Sequence, residues 1–259
     1  MRRIVLWSMF MVCCVLLAGA ATAAETVEEI IQKNLEVRGG EEAWLAVETA
    51  RMNGTMRMGG SAAGAVEAPF TVEYKRPDKI RVEFTLQGMT GVQAFDGETG
   101  WMVMPFMGKT EPEEMAEDQI EQLKDQAEFE GPFVNYEEKG HTVELLGTEE
   151  VDGTPAFKIK LTKANGDVDV VYLDQEYFVE FKMESTREVQ GTEVEVATVL
   201  GDYKEVDGLL FPHSMEMSFG GMPAAQVITL NTIDLGVEIP DERFEMPATT
   251  GAEAPADTE

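Results

Sequence analysis

Cysteine is almost missing from this chain: 259 residues contain two, Cys13 and Cys14, side by side in one apolar stretch. Residues Phe10-Met11-Val12 precede Cys13, where a lipid-anchoring signal would need a small residue and, further back, a leucine. Beyond that stretch there is no thiol for a disulfide, a nucleophile or a Cys-ligated metal, so folding must rest on packing. Basic charge is also scarce. Twenty Lys and Arg face 49 Asp and Glu, for a net charge of −29. Such a field repels nucleic acid and excludes it as a partner. The plain reading of the acidity is a solvated surface, although a basic partner would also suit it. Histidine is limited to His141 and His213, in no metal-ligand spacing, and neither a G-x-S-x-G turn nor a phosphate loop occurs. A packed or solvated role is expected for His213. Carboxylates are too abundant for any Asp or Glu pair to carry information. No catalytic residue, cofactor or metal is therefore expected, and the chain reads as a non-enzyme.

The one long apolar run, Ile4 to Leu17, follows Arg2-Arg3 and leads to Ala21-Thr22-Ala23. A basic start, a short apolar core and an A-x-A site make a secretory leader, cut after Ala23 or Ala24. The run is short for a membrane span, which needs about 20 residues, although an uncleaved anchor is the alternative. Residues 1–24 are expected to leave, 25–247 to form one domain exported to the periplasm, and 248–259 to be a disordered acidic tail.

Thr26-Val27-Glu28-Glu29 has the form of a capping box, with Ile30, Ile31 and Leu35 at helical spacing and Gly39-Gly40 as the stop. A shorter helix is expected over 41–47. The period then switches to two. Met52, Met56 and Met58, then Phe70, Val72 and Tyr74, then Ile80, Val82, Phe84 and Leu86 alternate with polar residues. Turns at Gln87-Gly88, Asp96-Gly97, Asp152-Gly153, Asn165-Gly166 and Asp207-Gly208 continue the pattern. Trp101 to Phe106 is apolar on both faces and must be covered on both. From Pro112 to Glu128, Ala116, Ile120, Leu123 and Ala127 mark a thinly apolar helix, either a movable lid or a plain cover. The spacing predicts a mainly β fold of about ten or eleven antiparallel strands in one curled, incompletely closed barrel, with helices over the concave side.

Methionine is what the chain has in plenty. There are sixteen, and Met52, Met56, Met58, Met102, Met104, Met183, Met215 and Met217 fall in strands. Methionine is a poor strand former but an adaptable lining for surfaces that accept varied partners. Ordinary core is the competing reading. On the lining reading, Met56, Phe70, Val72, Phe84 and Met104 are the expected cavity wall, Met104 with the complication that its strand is apolar on both sides.

The stretch Glu73-Tyr-Lys-Arg-Pro-Asp-Lys-Ile-Arg81, followed by Phe95-Asp-Gly-Glu-Thr-Gly-Trp101 and Pro105, resembles the LolA-like outer-membrane lipoprotein-sorting family. Arg38-Gly39-Gly40 and the later Asp-Gly turns resemble a longer branch of it. The resemblance implies a half-open barrel whose helices close the mouth over acyl chains. It also implies an inner-membrane transporter and an outer-membrane acceptor as partners of a monomer. Arg76 matches a family arginine that bonds the covering helices and holds the empty cavity shut; on residues alone it would be a surface arginine paired with a carboxylate. The methionine-rich strands, long second half and acidity depart from the family, and they make a free lipid as reasonable a cargo as a lipoprotein. The alternative is a non-carrier structural or sensory envelope module with a self-filled core.

Overall fold

The computed structural model describes residues 25–59, 65–189 and 192–248. The expected leader over 1–24, with both cysteines, and the expected tail beyond its first residue lie outside them.

Helix α1, Val27–Val37, starts as its capping box dictates: Glu29 N donates to Thr26 Oγ1 at 3.2 Å and Thr26 N to Glu29 Oε2 at 2.9 Å. Gly39 and Gly40, at φ +107° and +91°, end it. Helix α2 is short, Glu41–Leu45. Six strands follow: β1 Thr49–Met58, β2 Val66–Lys75, β3 Lys79–Leu86, β4 Met89–Phe95, β5 Gly100–Met104 and β6 Lys109–Glu114. Helix α3, Glu117–Ala127, interrupts them. Seven more strands follow among the described residues: β7 Thr142–Val151, β8 Thr154–Thr162, β9 Val168–Asp174, β10 Glu180–Val189, β11 Thr192–Val206, β12 Leu209–Phe219 and β13 Met222–Leu235.

All thirteen form one antiparallel sheet in the order β6-β5-β4-β3-β2-β1-β13-β12-β11-β10-β9-β8-β7. It is two meanders joined where β1 pairs with β13, and its outer strands β6 and β7 do not pair, so the sheet stays open. Hairpins at Gln87-Gly88, Asp152-Gly153 and Asp207-Gly208 place both central residues at positive φ, the backbone twist that matches the flanking strands.

The count exceeds the expected ten or eleven mainly through β6, which occupies part of the stretch expected to be helical. Its sequence, Lys-Thr-Glu-Pro-Glu-Glu, is polar on both faces and hides the strand period. An edge strand tolerates both that polarity and Pro112, whose missing N–H costs no ladder bond there. The helix accordingly begins at Glu117, not Pro112.

The inner face of the sheet is covered at one end by α1 and α2. Ile30, Ile31, Leu35 and Trp44 pack with Ala50, Met52, Phe70, Leu230 and Ile233 in the main core. Helix α3 covers β3 to β5, where Leu123 and Met115 join Ile80, Phe95, Met102 and Met104 in a second cluster. It comes so close that a Cβ on Gly100 would lie 2.5 Å from Ile120. From α3 the chain crosses to the other wing and sinks Phe133 and Val134, both fully buried, into the main core.

The strand β5 is covered on both faces, as its pattern requires. The helix lies on the inner, Met102 and Met104 face. The outer, Trp101 face lies under the C-terminal segment, where Trp101 Nε1 donates to Phe244 O at 2.7 Å and Phe244 is fully buried. Farther along the same strap, Lys75 Nζ donates to Ile239 O at 3.0 Å, and Arg243 reaches Glu73 at 2.8 Å and Glu83 at 3.1 Å. His213 is buried, with Nδ1 3.2 Å from Phe211 O, a packed role.

Candidate functional site

Strand register decides which side chains share the inner face. Met52 stands opposite Val72, and Val72 opposite Val82; Phe70 stands opposite Phe84. Gly91 pairs with Phe84 on β3, and a Cβ built there would meet Met104 and Phe106, which places both on the same side. Across the centre, Met56 stands opposite Ile228, and Ile228 opposite Met215. All five expected wall residues therefore lie on one face. Met56 and Phe70 belong to the main cluster and Met104 to the second, while Val72 and Phe84 touch both and form the seam between them.

Cover is uneven along this face. Near α1 and α2, Trp44, Ala50 and Phe133 are wholly buried, and Leu209 and Phe211 nearly so. Toward the far strand ends, Met56, Met58, Phe84, Met183, Met215 and Ile228 are only half-buried. An apolar stripe rich in methionine thus continues out from beneath the helices. Strand parity alone marks Met183 and Met215 as members; what parity does not carry is how far the helices extend over them.

Arg76 directly follows β2 beside this cover, and the Arg76-Pro77 peptide is cis. Its Nε donates to Val47 O at 2.9 Å and its Nη2 to Trp44 O at 3.2 Å, the carbonyls at the end of α2. Its guanidinium lies 5.4 Å from the Phe129 ring centroid and 3.5 Å from Glu130 Oε2, an ionic contact that leaves that buried oxygen without a hydrogen bond among the described residues. The arginine thus touches three things at once: the sheet, the end of α2 and the chain leaving α3. Substituting Arg76→Leu removes the two carbonyl bonds, each worth about 1 kcal/mol net, but no core strand. We expect a loss of about 2 kcal/mol of unfolding free energy with the fold retained, and roughly tenfold faster amide exchange at the end of α2 and over residues 127–130. Unchanged protection there would return Arg76 to an ordinary surface role.

At the other end of the crossing segment, His141 Nδ1 accepts the Ala164 N–H at 3.2 Å, an arrangement that requires the neutral ring, and Nε2 is buried with no partner among the described residues. Burial above all holds the His141 pKa below its ordinary 6.5, helped by Lys139 and Lys163 and opposed by Glu128 and Asp125. A lowered folded pKa means that the open segment binds the proton more tightly. The anchorage is therefore complete above about pH 6.5 and lost as pH falls through the folded value. The protection factor of the Ala164 amide, its exchange rate divided into the intrinsic base-catalysed rate at each pH, should fall as pH drops below about 6.5, and His141→Gln should flatten that dependence. A pH-independent protection factor in the wild type would contradict it.

No family model matches the chain, and no curated protein matches it. Solved structures do. A LolA superfamily protein from Nitrosomonas europaea is 16% identical, with 86% of this chain and 98% of that one aligned at a TM-score of 0.58. A DUF1329 family protein from Desulfovibrio piger is 11% identical over 86% and 98%, at 0.56. A domain assigned to the outer membrane lipoprotein-sorting proteins of Vibrio parahaemolyticus is 15% identical over 83% and 97%, at 0.53. At such identities the likeness speaks for the fold and not for an activity.

Proposed function

Because the chain has the LolA-like fold, we propose that it is a non-enzymatic carrier of acyl chains, of lipoproteins or free lipids, working in the periplasm. In this reading it takes cargo from an inner-membrane transporter and moves it towards an outer-membrane acceptor. The observation that carries the reading is the half-covered methionine stripe beneath a cover that Arg76 ties to the sheet. Burying an acyl chain at about 0.8 kcal/mol per methylene yields roughly 10 kcal/mol gross for fourteen methylenes. That is enough for nanomolar to micromolar binding without covalent chemistry, after ordering costs. A carrier must also let go, and a cover held by a few hydrogen bonds leaves the open and closed states close in energy.

A second reading has its own support. Phe133 and Val134 fill the main core from the crossing segment, as they would in a structural or sensory module with a self-filled interior. Displacement of a fluorescent fatty acid from delipidated, folded protein separates the two. Saturable binding with one site per chain supports the carrier; no binding supports the filled module.

A further inference from the structure

One cavity of about 210 Å³ opens between the end of β2, the β2–β3 turn, α3 and the segment after it. Its charge runs against that of the chain. The whole sequence has more than two acidic residues for each basic one, yet Lys75, Arg76, Lys79, Lys124 and Lys139 line this cavity against Asp78, Glu128 and Glu130. Some of the cations are engaged. Lys75 and Lys79 share Asp241, at 2.7 and 3.1 Å, and Lys139 reaches Glu128 at 3.2 Å and Glu130 at 3.0 Å. Lys124 has no carboxylate partner among the described residues; its Nζ lies over the Phe95 ring, 4.7 Å from the centroid. Even with Asp241 counted, the cavity is net positive in a strongly negative protein.

The floor is apolar. Tyr74, Ala127 and Phe129 line it, and Tyr74 packs against both core clusters. Along β2 from Tyr74 come Val72 and then Phe70, and Phe84 stands opposite Phe70; Val72 and Phe84 are the seam residues that lead towards the half-buried stripe. A basic rim over an apolar path is the outline of an anionic amphiphile seated head outward. A carboxylate alone would leave most of this volume empty, whereas a glycerophosphate fills more of it and offers several acceptor oxygens to ammonium and guanidinium donors.

We infer that this cavity is a headgroup site for a phosphate-bearing lipid, whose acyl chain runs beneath α3 along the Tyr74–Val72–Phe84 seam. The inference rests on the carrier reading and names its cargo class.

The test compares phosphatidylglycerol, diacylglycerol with the same chains, and inorganic phosphate as ligands of the delipidated full chain. Wild type should bind phosphatidylglycerol at least tenfold more tightly than diacylglycerol, with the advantage shrinking as salt rises. Lys124→Glu and Lys79→Glu should collapse that ratio towards one, while Lys204→Glu, at an exposed side chain of β11 in the other meander, should preserve it. Equal affinity for the two lipids, or a ratio that Lys124→Glu leaves intact, overturns the site and leaves the carrier standing. If neither lipid binds while inorganic phosphate perturbs the Lys124 and Lys139 resonances, the carrier reading itself fails and the cavity is a soluble-phosphate site instead.

Discussion

Replacing Glu180 by alanine should lower the unfolding free energy by about 3–5 kcal/mol, the cost of leaving a buried charge unpaired. Arg38, just past α1, and Glu180, at the start of β10, meet at 3.1 Å with side chains 4% and 3% exposed. Neither is fully satisfied: Arg38 Nε and Glu180 Oε2 have no hydrogen-bond partner among the described residues. The guanidinium also lies 4.6 Å from the Trp44 ring centroid, and the segment after α3 approaches so closely that a Cβ on Gly131 would be 2.4 Å from its Nη1. Without the carboxylate, Arg38 must either stay charged in a dry site or swing out and disturb Trp44 and Gly131 together. Because paired removal deletes both desolvation penalties, Arg38→Met with Glu180→Leu should recover most of the loss. Urea unfolding of the three proteins is the measurement. A Glu180→Ala protein within 1 kcal/mol of wild type would show that the pair is not truly desolvated.

The other large effect is expected in binding. Met56 and Met215 flank Ile228 across the centre of the sheet, and all three are half-buried in the unliganded protein. Glutamates at 56 and 215 can keep their carboxylates hydrated there, so the fold should survive. A bound acyl chain would strip that water and leave two carboxylates against hydrocarbon, at several kcal/mol each if they stay charged. Fatty-acid affinity should fall at least 100-fold, while leucine at both positions should stay within a fewfold of wild type, since the swap nearly conserves volume and apolarity. Retained binding by the glutamate pair would move the cargo elsewhere on the molecule.

What was legible in the sequence was whatever is decided locally. The Thr26–Glu29 capping box lies within four residues, and the Gln87-Gly88, Asp152-Gly153 and Asp207-Gly208 turns within two. Period-two alternation puts Met56, Phe70, Val72 and Phe84 on one face because side-chain direction follows from counting. Arg76 shows the limit of that reading. Pro77 marks it as a strand end, but its acceptors are Val47 and Trp44 carbonyls, far back in the chain, and only the family resemblance pointed to them. Arg38 and Glu180 are 142 positions apart, and nothing near either announces the other. The C-terminal strap carries no local signal of what it covers. Phe244 is a single apolar residue between Arg243 and Glu245, and the alternation Leu235–Val237–Ile239 that runs into the strap does not say what it packs on. How much of the inner face is covered depends on α1, α3 and the Phe133–Val134 insertion acting together, which no single window contains.

The central claim is that the half-covered inner face carries lipid. Native mass spectrometry of the protein isolated from its own cells without detergent or denaturant tests it most directly. The account predicts an added mass that organic extraction removes, that is identified as a lipid with at least one acyl chain, and that the delipidated protein takes up again one to one. A bare polypeptide mass from cells, together with no uptake by the folded, delipidated protein, would contradict it and leave the self-filled module.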